Sequence, residues 1–258
     1  MIRNAVFVVA AMAFTFAFAH ADGEATKALT PSNTVVLGWN DLGMHCMNED
    51  FSEIMILPPY NTIHAQVIER GDDPKIISTG VRIKYSIIKN TTSSDKTNFW
   101  DFDEALFGVD LPHDVGLTGN GLKGRMKPTG NNDWNVTGVP LTPVNDGGKF
   151  QPYQLAKISV VSKAKALATT KVVAPVSWEI HCDYCHNTSG ISVAKDILRK
   201  HDAAHDTELE ALSENGPIAC MTCHAQAPLG TTGDPSLSSA IHSSHATRMD
   251  GLALDNTC

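Results

Sequence analysis

Apolar and polar positions alternate with a period of two in several short stretches of the first two thirds of the chain. Thr34 to Gly38 reads T-V-V-L-G, a β-branched run suited to a buried strand. Between Thr62 and Glu69, Ile63, Ala65 and Val67 share one face, and His64 and Gln66 the other. That is a half-buried strand with His64 on its polar side. Val81, Ile83, Tyr85 and Ile87 alternate with Arg82, Lys84 and Ser86 in the same way. Strand character returns over Leu155 to Ser162 and over Leu167 to Val176, where Pro175 limits the second strand to an edge or an exit. Turn residues separate these runs: Gly71-Asp72-Asp73-Pro74, and Pro58-Pro59 after the apolar Ile54 to Leu57. Asn40, Asp41 and Gly43 put His45 and Cys46 at a turn or loop. Residues 90–150 are rich in Gly, Asn, Asp, Pro and Thr. They predict long irregular loops, with one helical turn at Asp103 to Phe107 and His113 on the surface. Ser32 to about Trp178 therefore predicts a β-rich, sandwich-like domain.

Past Cys182 the period changes. Within Ile191 to His205, Ala194, Ile197, Leu198, His201 and His205 fall on one helical face. Asp234-Pro235 predicts a second helix, with Asp as N-cap and Pro in the first position. Ile241, His242 and His245 lie along it. This part predicts an irregular, short-helix segment.

Two C-x-x-C-H motifs organise that segment: Cys182, Cys185, His186 and Cys220, Cys223, His224. The spacing is that of c-type haem attachment. Two thiols three residues apart meet the two vinyl groups of one porphyrin, and the adjacent histidine points at the iron. Each motif is followed by loop residues and then by a short helix carrying two histidines, so the two units form a repeat. His201, His205, His242 and His245 are candidates for the second axial position. A second histidine closes the iron for one-electron transfer, whereas a vacancy admits a substrate. His181 reads as positional. Cys182 and Cys220 stand 38 residues apart, and Cys258 stands another 38 beyond. Cys258 is thus expected to begin a third motif, in a chain cut short inside a haem array. From the cysteine count alone, a Cys46–Cys258 disulfide is the alternative to this reading of Cys258. Met44, His45, Cys46 and Met47 gather soft donors, making His45 a further distal candidate, with copper as another ligand for this cluster. The competing reading there is a packed thiol and a hydrogen-bonded histidine. His201 and His205 lack the intervening Glu of a zinc protease, which excludes that enzyme class. Zinc held by the four motif thiolates is the competing reading of the whole segment.

Residues 1–21 have the form of a signal peptide: Arg3, an apolar run from Ala5 to Phe18, and the cleavage site Ala19-His20-Ala21. The expected organisation is 1–21 signal peptide, 22–178 β-rich domain, 179–258 haem segment. Export fits covalent haem attachment and predicts a periplasmic or outer-surface location. No other apolar run approaches the length of a membrane span. The formal net charge is −8, with no Lys/Arg-rich run, which argues against nucleic acid as a partner. An acidic surface keeps an exported protein soluble and would also suit a basic redox partner.

The stretches C-D-Y-C-H, L-R-K-H-D-A-A-H-D-T, A-C-M-T-C-H-A and S-S-A-I-H-S-S-H-A resemble secreted multihaem c-type cytochromes of anaerobic, often metal-respiring bacteria. The resemblance covers about residues 174–258. W-N-D-L-G-M-H-C-M and L-P-P-Y-N-T-I-H-A-Q-V look like the N-terminal region of such proteins. The resemblance implies haem c bound through Cys182, Cys185, His186, Cys220, Cys223 and His224, and mostly bis-His irons. It also implies electron exchange with redox proteins or an external acceptor. The expected role is a carrier rather than an enzyme. The alternative within the same chemistry is a haem-dependent reductase of a small inorganic substrate at an open iron.

Overall fold

The structure, a computed structural model, describes residues 28–41 and 43–249. The expected signal peptide and Cys258 lie outside the described residues. Two five-stranded sheets share one apolar core. The first contains β1 (Thr34–Asn40), β4 (Ile63–Glu69), β5 (Lys75–Ile77), β8 (Lys127–Pro128) and β9 (Trp134–Val136). Its path runs β1-β4-β9-β8, and β5 pairs with β4 beside β9. The second runs β2-β11-β10-β6-β7, with β2 (His45–Cys46), β11 (Lys165–Ser177), β10 (Tyr153–Ser162), β6 (Arg82–Ile87) and β7 (Lys123–Arg125).

The alternation read from the sequence sets the inward faces. Ile63, Ala65 and Val67 of β4 are fully buried, as are Ile158 and Val160 of β10 and Ile83 of β6. A side-chain period of two fixes this register, because a one-residue slip would turn every apolar group outward. The sheets come close at Gly38. A Cβ there would stand 2.5 Å from Ile158 Cδ1 of the opposite sheet, so a larger residue would have to displace that side-chain tip. β10 and β11 form a long hairpin whose turn residues, Lys163 and Ala164, both have positive φ. A two-residue hairpin needs that conformation even without the usual Gly or Asn. Pro175 lies in β11 where the far flank carries only the two-residue β2. Its carbonyl there accepts from Asn61 Nδ2 at 2.9 Å.

Several expectations are corrected. The helix expected over Asp103 to Phe107 starts earlier: α1 spans Phe99–Phe107, because Phe99 and Trp100 bury against the core and Trp100 Nε1 donates to the Val115 carbonyl. Gly108, in the left-handed region, ends it. The loops of 90–150 contain β7, β8 and β9, short strands recruited by the edges of β6 and β4. His45 and Cys46 are not in a loop but form β2, pairing in parallel with Val176 and Ser177. His64 is no simple surface residue. It stacks on Trp39 and bridges Asp41 and Asp133, at 3.0 and 3.2 Å.

The remainder is short and irregular. It comprises α2 (Val193–His205), α3 (Leu209–Leu212), β12 (Ile218–Ala219), α4 (Leu237–Ala246) and several 3-10 turns. Ser192 caps α2 by accepting from Lys195 N. The cap of α4 is Ser236 rather than Asp234: its hydroxyl accepts from Ser239 N, and the helix begins at Leu237. Among the described residues no helix is long and apolar enough to cross a membrane.

Candidate functional site

Both C-x-x-C-H motifs fold into the same turn. In the first, a 3-10 turn at Cys182–Tyr184, the His186 amide donates to the Cys182 carbonyl at 2.8 Å. In the second, at Cys220–Thr222, the His224 amide donates to the Cys220 carbonyl at 3.0 Å. The repeat inferred from sequence is thus a repeat of backbone shape, and each turn brings its motif histidine back over the first cysteine.

The turns are anchored by different parts of the molecule. The first leans on α2. Lys200 Nζ donates to the Cys185 carbonyl at 3.0 Å and to Asp196 at 2.9 Å. Buried Asp196 accepts in turn from the Thr188 hydroxyl. His181, before the motif, has positive φ and stacks flat on Tyr184 with centroids 5.0 Å apart. The second turn is fastened to the β-rich domain. β12, directly before Cys220, pairs in parallel with β3 (Ile54–Met55), and Ile218 N donates to the Glu53 carbonyl at 3.0 Å. Ala219 joins the main core and Met221 packs against it. Tyr60 Oη donates to the Pro228 carbonyl at 2.9 Å. A cavity of about 240 Å³ lies beside this turn, lined by Phe107, Leu117, Thr118, Met221, Pro228 and Leu229.

The stretch around His45 has a structural task. His45 is buried, and its Nε2 lies 2.7 Å from the Pro58 carbonyl. Burial lowers its pKa by more than that hydrogen bond restores, so the ring is neutral. With Asn40 Nδ2 donating to Asn61 and Asn61 donating to Pro175, it ties the two sheets to the chain that enters the first motif. As a distal ligand through Nε2, His45 would have to give up its Pro58 bond.

Each motif histidine faces a histidine of the other unit. The rings of His186 and His245 have centroids 6.4 Å apart, tilted by 58°. Those of His224 and His201 are 6.3 Å apart at 80°. His205 sits against His201 at 4.8 Å, on the exposed end of α2. His242 is exposed and its Nδ1 turns back to the Ser238 carbonyl at 2.7 Å. His113 is exposed, as expected.

The hydrogen bonds define which nitrogen is available. His224 Nδ1 lies 2.9 Å from the Pro235 carbonyl and His245 Nδ1 lies 2.7 Å from that of Ile241. A carbonyl only accepts, so both rings donate through Nδ1, and Nε2 is the nitrogen left for a ligand. His201 Nδ1 lies 3.0 Å from the Thr207 hydroxyl, which itself donates to Asp202 at 2.6 Å. That hydroxyl therefore accepts from His201, and again Nε2 is left open. Burial lowers the pKa of His201, helped by His205 and His224. Burial also lowers that of His186, with Lys200 adding to it. Both rings are held in the neutral form that binds a metal. His186 Nδ1 is buried without a hydrogen-bond partner, a costly state for an imidazole nitrogen that nothing else occupies.

These features fit haem c. The donor set is right, the open nitrogens are the correct ones, and an apolar cavity adjoins the second turn. Cys185 and Cys223 are exposed, while burial pushes the Cys220 thiol up to about 11. Among the described residues no three His, Cys, Asp or Glu side chains are grouped to hold a single ion. The zinc alternative, which needs all four motif thiolates on one ion, would require the two turns to rearrange.

Sequence reasoning did not find the supports: Thr207 and Asp202 behind His201, the Pro235 carbonyl behind His224, and Lys200 and Asp196 behind Cys185. Lys200 is four residues beyond Asp196 on α2, a spacing that signals the pair. Nothing local signals the others. Searches against protein-family models, curated proteins and solved structures found no match to the chain.

Proposed function

We propose that this protein is an exported c-type cytochrome that passes single electrons through haems attached at Cys182/Cys185 and Cys220/Cys223. The observation that carries this reading is the pairing of each C-x-x-C-H turn with a second histidine ring at 6.3 to 6.4 Å. Bound haem supplies an iron that takes up and releases one electron at nearly constant geometry. Cys182/Cys185 and Cys220/Cys223 would hold the porphyrin, with His186 and His224 as ligands to the iron. A second histidine ligand would exclude water and small ligands, which favours a carrier over a catalyst. The hydrogen bonds to Pro235, Ile241 and Thr207 fix ring orientation, and strengthening or weakening them tunes the potential. The signal-peptide form of residues 1–21 supports a periplasmic or outer-surface site of action. Redox proteins or an external acceptor are the proposed partners.

The test is expression with a working haem-attachment system. A c-type pyridine haemochrome and low-spin spectra unchanged by carbon monoxide or cyanide are expected. A colourless protein would sink the reading. Irons that bind carbon monoxide in the native protein would replace the carrier with the reductase.

A further inference from the structure

We infer that the two repeats exchange their distal ligands. His245, on the helix of the second unit, completes the iron held by His186 of the first. His201, on the helix of the first unit, completes the iron held by His224 of the second. This assignment rests on the haem reading above and concerns which histidine serves which motif.

Three observations carry it. The first is distance. A metal–imidazole bond is about 2.0 Å long and the ring centroid lies about 1.1 Å behind the nitrogen, so two imidazoles trans across one ion stand about 6.2 to 6.3 Å apart. The observed separations are 6.4 Å for His186 and His245 and 6.3 Å for His224 and His201. The second is tautomer. His201, His224 and His245 all have Nδ1 committed to a hydrogen bond and Nε2 open. The third is exclusion. Among the described residues His205 has a ring contact with His201 but with neither motif histidine, and it lies on the exposed end of α2. Among the described residues His242 has no ring contact with either motif histidine, whereas His245, one turn further along α4, does.

The structural cause is the packing of the repeats. α2 leans on the first turn through Lys200 and Asp196, and that packing carries His201 across to the second motif. The loop after His224 brings α4 back to the first motif. Neither unit can then close its own iron, and the two haems form one interlocked module.

Paired substitutions in the full haem-loaded chain test this, counting irons that become open to carbon monoxide. His186→Ala with His245→Ala strips both ligands from one iron, so one iron per chain is expected to open. His224→Ala with His201→Ala is expected to give the same count. His186→Ala with His201→Ala, an equal load of substitutions, is expected to open two. Pairing within each unit reverses this pattern, with two irons opened by the first combination and one by the last, and would overturn the assignment. As a safeguard against misfolding, His245→Gly alone is expected to open one iron, which added imidazole returns to low spin. His205→Ala and His242→Ala are expected to open none, and an iron opened by either would overturn the assignment too. Absence of covalent haem from the native chain is a separate outcome that removes the function itself.

Discussion

The β-rich domain and the segment after it are held together by different materials. Between Val36 and Val176 the buried side chains are mostly Val, Ile, Leu, Phe, Met and Trp, and they form one continuous cluster across both sheets. Past Cys182 the buried side chains among the described residues are Asp196, Leu198, Ser213, Ala219, Gln226 and Leu237. Half of these are polar, and Ala219 belongs to the other domain's core. The first region has an interior of its own. The second places histidines and cysteines where an interior would be, which is reasonable if a porphyrin fills that space. On the haem proposal the sparse core would be that of a fold completed by its ligand.

Haem removal should break the comparison most visibly. In protein made without haem attachment, amides of α2 and α4 should exchange about a thousandfold faster than those of β10 and β11, measured by hydrogen exchange with mass spectrometry. Equal protection of the two regions would show that the segment has its own core after all. Next in size are cavity mutations. Ile158→Ala should lower the unfolding free energy of the β-rich domain by about 3 to 5 kcal/mol. Leu198→Ala should stay near the lower end of the range, about 2 kcal/mol, because its surroundings can collapse. Denaturant titration followed by tryptophan fluorescence and by haem absorbance would separate the two effects. Gly38→Val overpacks the contact with Ile158 and should cost about 1 to 3 kcal/mol with no change in haem spectrum.

A smaller, pH-dependent effect is expected at Asp202. Burial there favours the protonated acid, but the Thr207 hydroxyl and the amides of Glu210 and Leu209 together outweigh it, so the pKa lies below the usual carboxylate value. The folded pKa is depressed, so its contribution is complete above the unfolded value, about 3.9, and is lost as the pH falls through the folded one. Asp202→Asn should therefore flatten the acid limb of unfolding for α2 and α3, seen by circular dichroism between neutral pH and pH 2. The smallest effect should come from the exposed Arg199–Glu210 pair: Glu210→Gln should leave the melting temperature unchanged within error.

Much of the β-rich domain was legible because a half-buried strand writes its two faces into the chain. The strands at 63–69, 82–87, 153–162 and 165–177 follow that alternation. The unread elements are those whose existence depends on a neighbour. β2, β3 and β12 have two residues each, too few for a period, and exist because a distant segment offers a parallel edge. β7 to β9 sit in Gly- and Asn-rich sequence and are recruited by β6 and β4. In the segment after Cys182, the motif residues were legible because their chemistry demands fixed spacing. The facing of His186 with His245 and of His224 with His201 was not, since it depends on which helix crosses to which turn.

The two-residue strand β12 has a consequence for how the protein is made. Once Ile218 and Ala219 dock on Ile54 and Met55, the neighbouring Cys220 is partly buried, whereas Cys185 and Cys223 are exposed. If the chain is exported and carries haem as proposed, the sandwich would emerge first and could fold while the second motif is still emerging. Thioether formation at Cys220 would then compete with docking onto a surface already formed. On that reading β3 would act as a clock on maturation, and weakening it would lengthen the interval in which the second haem could be joined.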